Sequence, residues 1–554
     1  MNRPQNSLLE RRREILSLPV DERASSLLED PQSAELVRTI PGPDLYLTVI
    51  GAETDLAVRL LAHASVPQFQ IFLDLDGWSH GRLDLERWCA WLEQASRATP
   101  RLLLQWLKTS DEETVVFLLS CILRIYKLDP SCPEDCWPPE RPTSTLDGRY
   151  YFEAKPGATE AAFHAVLRAL SDLRSQRSAT YEALLEQVIW MIPNETEEAA
   201  YQNRASRLAA CGFPELDESL EVWAADREAH PDRRRALLEK IPRDDATPIR
   251  LPARRTPAWA GRAFPALSEA AGAVDRDVQD RVFDELTHIG SRYAVASLTH
   301  LGDPETHSAG LQTALSHLNL GLQVLEAEGE RQCLSAILRT LSVLEITRAG
   351  LGAIYQRCRR ARDLLERGWL ARVYQARQRL DPELLIPLEG LLRPHPTLSA
   401  EGEDDRPFRV HSDLLWIDSV LETIMAMGLF LETHVGAGAE EIPEISAFRE
   451  TCRNPSEMDL RWSTVILTSL ARQVRGEETR PLPFTADEWH DVVPPLLDGG
   501  TPPSPSRKWE EIIEQSGLDP ARDLLATKML EELGDEQTPQ FDPRFVRSLL
   551  LVGG

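Results

Sequence analysis

A succession of short amphipathic segments, each cut off by Pro, Gly or Asp, constrains the fold of this chain more than any other feature. Apolar blocks recur as LVRTI (36–40), LYLTVI (45–50), LAVRLL (56–61), FQIFLD (69–74), RWCAWL (87–92), LLLQWL (102–107) and TVVFLL (114–119). They are separated by IPGPD, GAETD, ASVPQ, DGWSHG, ATP and SDEE. A helix of about ten residues cannot bury its apolar stripe alone, so successive helices must stack on one another. This predicts an all-α fold, with an N-terminal superhelix of short helices leading into longer helical bundles. Such scaffolds usually offer surface to a partner instead of a pocket for chemistry.

At 554 residues the chain is too long for one core and is expected to divide into about three or four domains. Hydrophobic residues make up 42% and charged residues 27%, a composition that buries sizeable cores and differs from that of disordered chains. The net charge of −27 disfavours non-specific contact with nucleic acid or anionic membrane. MNRPQNSLLERRRE at the start has no apolar run after its positive charges, so no signal peptide is expected. The longest apolar stretch, 414–434, carries Asp418, Glu422 and Glu432; it reads as a buried helix, with no membrane insertion. Cys89, Cys121, Cys132, Cys136, Cys211, Cys333, Cys358 and Cys452 form no disulfide framework in so long a chain. Most lie in apolar helical contexts and read as small buried residues of a reducing, cytoplasmic compartment.

Residues 1–129 form the stack of short helices, with Pro31, Pro43 and Pro67 at helix starts. A Pro-rich linker follows over 130–156; within it LDGRYYFEA (146–154), a DG turn leading into aromatics, is a possible β-hairpin lying against helices. Residues 157–242 are helical, and 243–261 form a second linker. Residues 262–394 form a bundle of the longest helices. There Asp303 reads as an N-cap ahead of Pro304, and Leu311, Leu315, Leu318, Leu322 and Leu325 repeat at helix-packing spacing. An acidic loop over 395–411 precedes a C-terminal region, 412–554, of helices and Pro/Gly-rich loops.

The pattern of 31–125, as in SAELVRTIPGPDLYLTVI, resembles the N-terminal cytoplasmic superhelix of bacterial magnesium transporters and their flagellar-motor relatives. No site residue carries over from it. Nearly the full length resembles a bacterial family of unknown function. The segments that carry this are FLDLDGWSHGRLDLERWCAWL (72–92), LDGRYYFEA (146–154), QNRASRLAACGFPELDESLEVW (202–223) and RAGLGAIYQRCRRARDLLERG (348–368). That resemblance implies a helical cytoplasmic protein and adds no chemistry.

Several constellations could carry chemistry, each with a structural alternative. Asp74-Leu-Asp76-Gly77 after FQIFL resembles the nucleophile motif of haloacid-dehalogenase phosphatases. Trp78 stands where that motif has a small hydroxyl residue, however, and short helices follow. The alternative is a helix end at FQIFLD, with Gly77 as its left-handed stop. Glu285 and His288 have the Glu-x-x-His spacing of di-iron bundles, and His300, His307 and His317 follow. No second well-placed copy accompanies them, and His307 and His317 would be roughly 15 Å apart along a helix. Cys132 and Cys136 could hold zinc but lack two further ligands. Glu285, His288 and His307 remain the metal candidates; no metal, cofactor or catalytic residue is assigned.

Segment 348–379 is a basic anomaly in an acidic chain. Arg357, Arg359, Arg360 and Arg362 are its candidate contacts for an anion or an acidic partner, and Tyr355, Trp369 and Tyr374 are available for stacking. Arg254 and Arg255 are candidates to extend this face. The alternative is that it docks on the chain's own acidic surface. Trp78, Trp88, Trp91 and Trp106 cluster in the first region, as core or, if exposed, as a partner groove. Phosphate loops, dinucleotide fingerprints, HExxH, GxSxG and paired CxxC motifs are absent. The expected function is a scaffold or adaptor that binds an unidentified protein partner. The alternatives are a helical metal protein or enzyme centred on 285–317, or RNA or anion binding through 348–379.

Overall fold

Serine and proline mark where the short helices begin. Ser65 caps Val66–Asp76: its hydroxyl accepts from the Gln68 N–H (3.4 Å) while Gln68 Oε1 accepts from the Ser65 N–H (2.9 Å). This reciprocal pair satisfies two donors that a helix start leaves unpaired. Pro43 and Pro67 lie in the first turns of Gly42–Ile50 and Val66–Asp76, where the missing N–H costs little. Pro31 differs from expectation: it lies in the turn ahead of Ser33–Thr39, which begins after Gln32.

The computed structural model describes residues 3–16, 18–127, 144–224, 230–241, 263–329, 333–451, 460–485, 487–498, 504–533 and 547–552. The fold is all-α with minor β. It divides into two units, Met1–Val222 with Leu286–Ala314, and Trp223–Glu285 with Leu315–Gly554.

In the first unit several short helices pack on helices two or three further along the chain as well as on neighbours. Val20–Glu29 meets Gly42–Ile50 and Thr54–Leu61, Gly42–Ile50 meets Val66–Asp76, and Thr54–Leu61 meets Leu85–Ala98. Glu160–Gln176 lies across Leu85–Ala98 and Pro100–Thr109, and Pro193–Ala210 lies across Val66–Asp76 and Glu112–Ile122. Val66–Asp76 is therefore surrounded, and every residue from Gln68 to Asp76 is buried. Residues 69–73 are helix, not an inner strand. Tyr46, Phe72 and Trp91 meet with ring centroids 5.3–5.8 Å apart, and Trp88 meets Trp106 edge-on at 6.4 Å. Trp78, Trp88, Trp91 and Trp106 are all buried; Trp88, Trp91 and Trp106 belong to the main core of this unit, and Trp78 to a smaller cluster with Phe117 and Ala200.

The expected hairpin is present and gains a strand. Tyr150–Ala154 pairs antiparallel with Ser144–Thr145 across the Asp147-Gly148 turn, and on its other edge with Leu123–Lys127. Asp147 Oδ1 accepts from the Arg149 and Tyr150 N–H groups (2.8 and 2.9 Å), and Gly148 supplies φ +71°.

The core of the second unit surrounds His411–Phe430. Trp369 donates from Nε1 to the Ile424 carbonyl (2.8 Å) and Trp462 to the Ala376 carbonyl (2.8 Å), the two rings meeting edge-on at 6.1 Å. Gly428 makes room for Trp369, since a Cβ there would lie 2.0 Å from the indole. Pro304–Glu328 crosses Val343–Glu366 closely at Gly321, where a Cβ would fall 1.9 Å from the Ile346 carbonyl oxygen. Of the predicted leucine seam, Leu315, Leu318, Leu322 and Leu325 are buried and Leu311 is exposed. Leu320 and Val324 on the other side are buried too, so this stretch is enclosed all round. Segment 411–435 is long and apolar enough to cross a membrane. In this unit it buries Leu414, Ile417, Leu421, Ile424 and Met427 while leaving Leu415, Met425 and Leu429 exposed.

Candidate functional site

The helix end at Asp74–Gly77 anchors the richest polar network of the first unit. Asp74 is fully buried. Its carboxylate accepts from Gln70 Nε2 (2.9 Å) and from Arg207 Nε and Nη2 (2.7 and 2.8 Å). Arg207 also reaches Asp111, and Trp106 Nε1 fixes the Gln70 amide at 2.7 Å. Burial pushes the Asp74 carboxyl up, and the hydrogen bond and charge of Arg207 oppose this. Asp76 accepts from Trp91 Nε1 (2.8 Å) and pairs with Arg87, which bridges to Asp303 at 3.1 Å. Asp303 stands ahead of Pro304–Glu328 as expected, with its carboxylate turned to Arg87. The phosphatase-like string thus lies on a helix, and both its carboxylates are spent on structure. Gly77 ends that helix at φ −82°, not in the left-handed region. Glycine is needed there because a Cβ would sit 1.9 Å from Trp88 Nε1.

Beyond Gly77 the chain makes a tight hairpin, Trp78–Ser79 against Arg82–Leu83, turning at His80-Gly81. Both turn residues have positive φ, +52° and +72°, as a two-residue hairpin of matching twist requires. The His80 N–H donates to the carbonyl of Leu298 (2.5 Å), itself held at φ +58°. A leucine in that region is strained, and such strain concentrates where surrounding structure over-determines a site.

His80 and Leu298 line a cleft of about 40 Å³ together with Trp78, Tyr201, Arg204, Phe213, Glu215 and Leu216. Arg204 lies on its wall, only 9% exposed. Its Nε donates to the Asp74 carbonyl (2.7 Å), and its guanidinium carbon lies 5.6 Å from the Trp78 ring and 6.0 Å from Tyr201. Its two terminal nitrogens have no hydrogen bond, and no carboxylate ion-pairs with it, among the described residues. The buried Trp78 Nε1 likewise lacks an acceptor among them. Burial pulls Arg204 below its ordinary value and the Asp74 carboxylate opposes this; a guanidinium stays charged all the same.

The sequence-predicted metal candidates are each engaged elsewhere. Glu285 accepts from the Val343 N–H (2.7 Å), His288 lies 3.8 Å from Glu218, and His307 Nε2 lies 2.5 Å from the Leu301 carbonyl. His300 stands between Asp84 and the Asp76 carbonyl, and His317 is fully buried edge-on to Trp223. Among the described residues no group of three or more His, Cys, Asp or Glu could hold a metal. Cys132, Cys136, Arg254 and Arg255 lie outside the described residues.

On the basic segment, Arg357 (2.5 Å) and Arg360 (2.7 Å) share Asp418, while Arg372, Arg377 and Arg379 pair with Glu432, Glu389 and Glu441. Arg359 is half-buried and Arg362 exposed. Trp369 is buried, Tyr355 donates to the Trp223 carbonyl (2.8 Å), and Tyr374 is exposed. Most of that charge is answered within the chain.

Two mostly helical units, one holding a strained cleft beside a saturated carboxylate network, define an all-α protein. Its sequence matches the model of a family of unknown function (DUF6178) over residues 3–552, so the chain belongs to that family. Neither a curated protein nor a solved structure matches it.

Proposed function

We propose that this protein is a cytoplasmic, non-enzymatic scaffold or adaptor, and that its first unit receives a protein partner at the Arg204 cleft. The observation that carries this is a buried guanidinium beside two aromatic rings, whose terminal nitrogens make no hydrogen bond among the described residues. Arginine flanked by Trp and Tyr is the composition that dominates binding energy at protein interfaces. The cleft is small, as suits one anchoring group of a partner. The Asp74 carbonyl holds Arg204 in place from outside the lining (2.7 Å). Cys89, Cys121, Cys211, Cys333 and Cys358 form no disulfide, which accords with a reducing compartment; Cys211 and Cys333 are exposed, unlike the buried setting expected for most.

Quantitative capture from the native host, wild type against Leu216→Arg, tests the reading. Leu216 is a half-buried wall residue outside the Asp74 network. A partner held in stoichiometric amount by wild type and lost by the folded variant is the expected result. A partner set that the variant retains unchanged would place recognition elsewhere on the chain.

A further inference from the structure

We infer that the Arg204 cleft selects a carboxylate carried on an apolar stem. This rests on reading the cleft as a recognition site and names the chemistry it takes.

The charge count comes first. Among the described residues Arg204 is the one Lys or Arg lining the cleft; His80 lines it too, and Glu215 is exposed on the same lining. One guanidinium beside a carboxylate fits a monoanion. A dianionic phosphate group would face Glu215 with a single cation, inside a chain of net charge −27. Geometry agrees: the guanidinium is planar and a carboxylate accepts from it in parallel, which is why arginine recurs where carboxylates are read.

Size and wall chemistry narrow the ligand further. About 40 Å³ holds roughly three water-sized probes, enough for a carboxylate head but not for a bulky headgroup. Beside the arginine the wall is apolar: Leu208, Phe213, Leu216, Val295, Leu298 and Leu301 line it. An apolar stem against that wall gains from burial, while the head meets the Arg204 terminal nitrogens, which make no hydrogen bond among the described residues.

Two sources carry this chemistry: a polypeptide C-terminus ending in an apolar residue, and a small free aliphatic acid. Calorimetric titration of the full chain separates them, using a leucine-terminated peptide as its free acid, the same peptide amidated, 4-methylpentanoate, and inorganic phosphate. The peptide acid is expected to bind at least tenfold more tightly than the amide, with phosphate giving no heat. If 4-methylpentanoate binds as well as the peptide acid, the carboxylate site stands and its ligand is the free acid. Arg204→Lys keeps the charge but loses the fork and is expected to weaken acid binding tenfold or more. Should that variant fail to fold, Leu216→Trp, which enlarges a lining residue of the cleft, must abolish acid binding. Equal affinity for acid and amide, tighter phosphate binding, or no acid binding at millimolar concentration by folded protein would each overturn the inference. A carboxylate that binds while host capture yields no partner would sink the adaptor reading alone.

Discussion

Asp74 places a carboxylate where no water reaches it, and three donors answer it from Gln70 and Arg207. Removing the Asp74 charge leaves Arg207 against a neutral amide, but Arg207 is 22% exposed and keeps Asp111, so the loss falls below the about 3–5 kcal/mol of breaking a fully buried pair. Asp74→Asn is therefore expected to lower stability by about 1–3 kcal/mol in denaturant titration, and Asp74→Asn with Arg207→Met by less than the sum of the single changes. Strict additivity would mean that the pair is not coupled. Gly77 makes a second residue-scale case. A methyl group there must displace the buried Trp88 indole, and overpacking of this kind costs about 1–3 kcal/mol. Gly77→Ala should lower the melting temperature measurably; an unchanged value would show that Trp88 can swing aside freely. These contacts could not be read locally, because Arg207 meets Asp74 across 133 positions of sequence.

Among the elements, helix starts were legible because capping is local: Ser65 and Gln68 lie three apart, and Pro43 and Pro67 mark first turns. The all-α class followed from that punctuation. The hairpin at 78–83 was missed, since two-residue strands are too short to show alternation and histidine stands where Asn or Asp usually signals the turn. The cleft itself left one usable trace: Ala200, Arg204 and Leu208 recur four apart, which puts an arginine on the apolar stripe of Pro193–Ala210. On the helix Pro304–Glu328, His317 is enclosed beside the close crossing at Gly321 and Gly350. Burial lowers its pKa from 6.5 to about 3. The folded chain then keeps the ring neutral while the unfolded chain protonates it below about pH 6.5. Its stabilising contribution is complete above that pH and is lost as pH falls toward 3. The slope is about 1.4 kcal/mol per pH unit for one proton. Urea titrations between pH 6.5 and 5 should show this slope in wild type and a shallower one in folded His317→Gln. Identical slopes would assign the proton to another group.

For the whole molecule, charge decides which partners are open to it. The net charge of −27 repels polyanions at long range, so nucleic-acid binding would require a local basic surface left free of internal partners. The segment 348–379 came closest in sequence, and its electrostatic account is now specific. Arg357 and Arg360 converge on Asp418, and Arg372, Arg377 and Arg379 each hold a glutamate. A phosphate backbone would have to displace those carboxylates, and neither Trp369, which is buried, nor Tyr355, which is tied to Trp223, offers a ring for base stacking. Single-stranded RNA is therefore expected to bind the full chain no more tightly than about 10⁻⁴ M at physiological salt, the weak end of non-specific association. Fluorescence anisotropy with a labelled oligonucleotide checks this. Micromolar binding that weakens steeply between 50 and 200 mM salt, and disappears in Arg359→Glu with Arg362→Glu, would restore the basic helix as the contact surface and demote the Arg204 cleft.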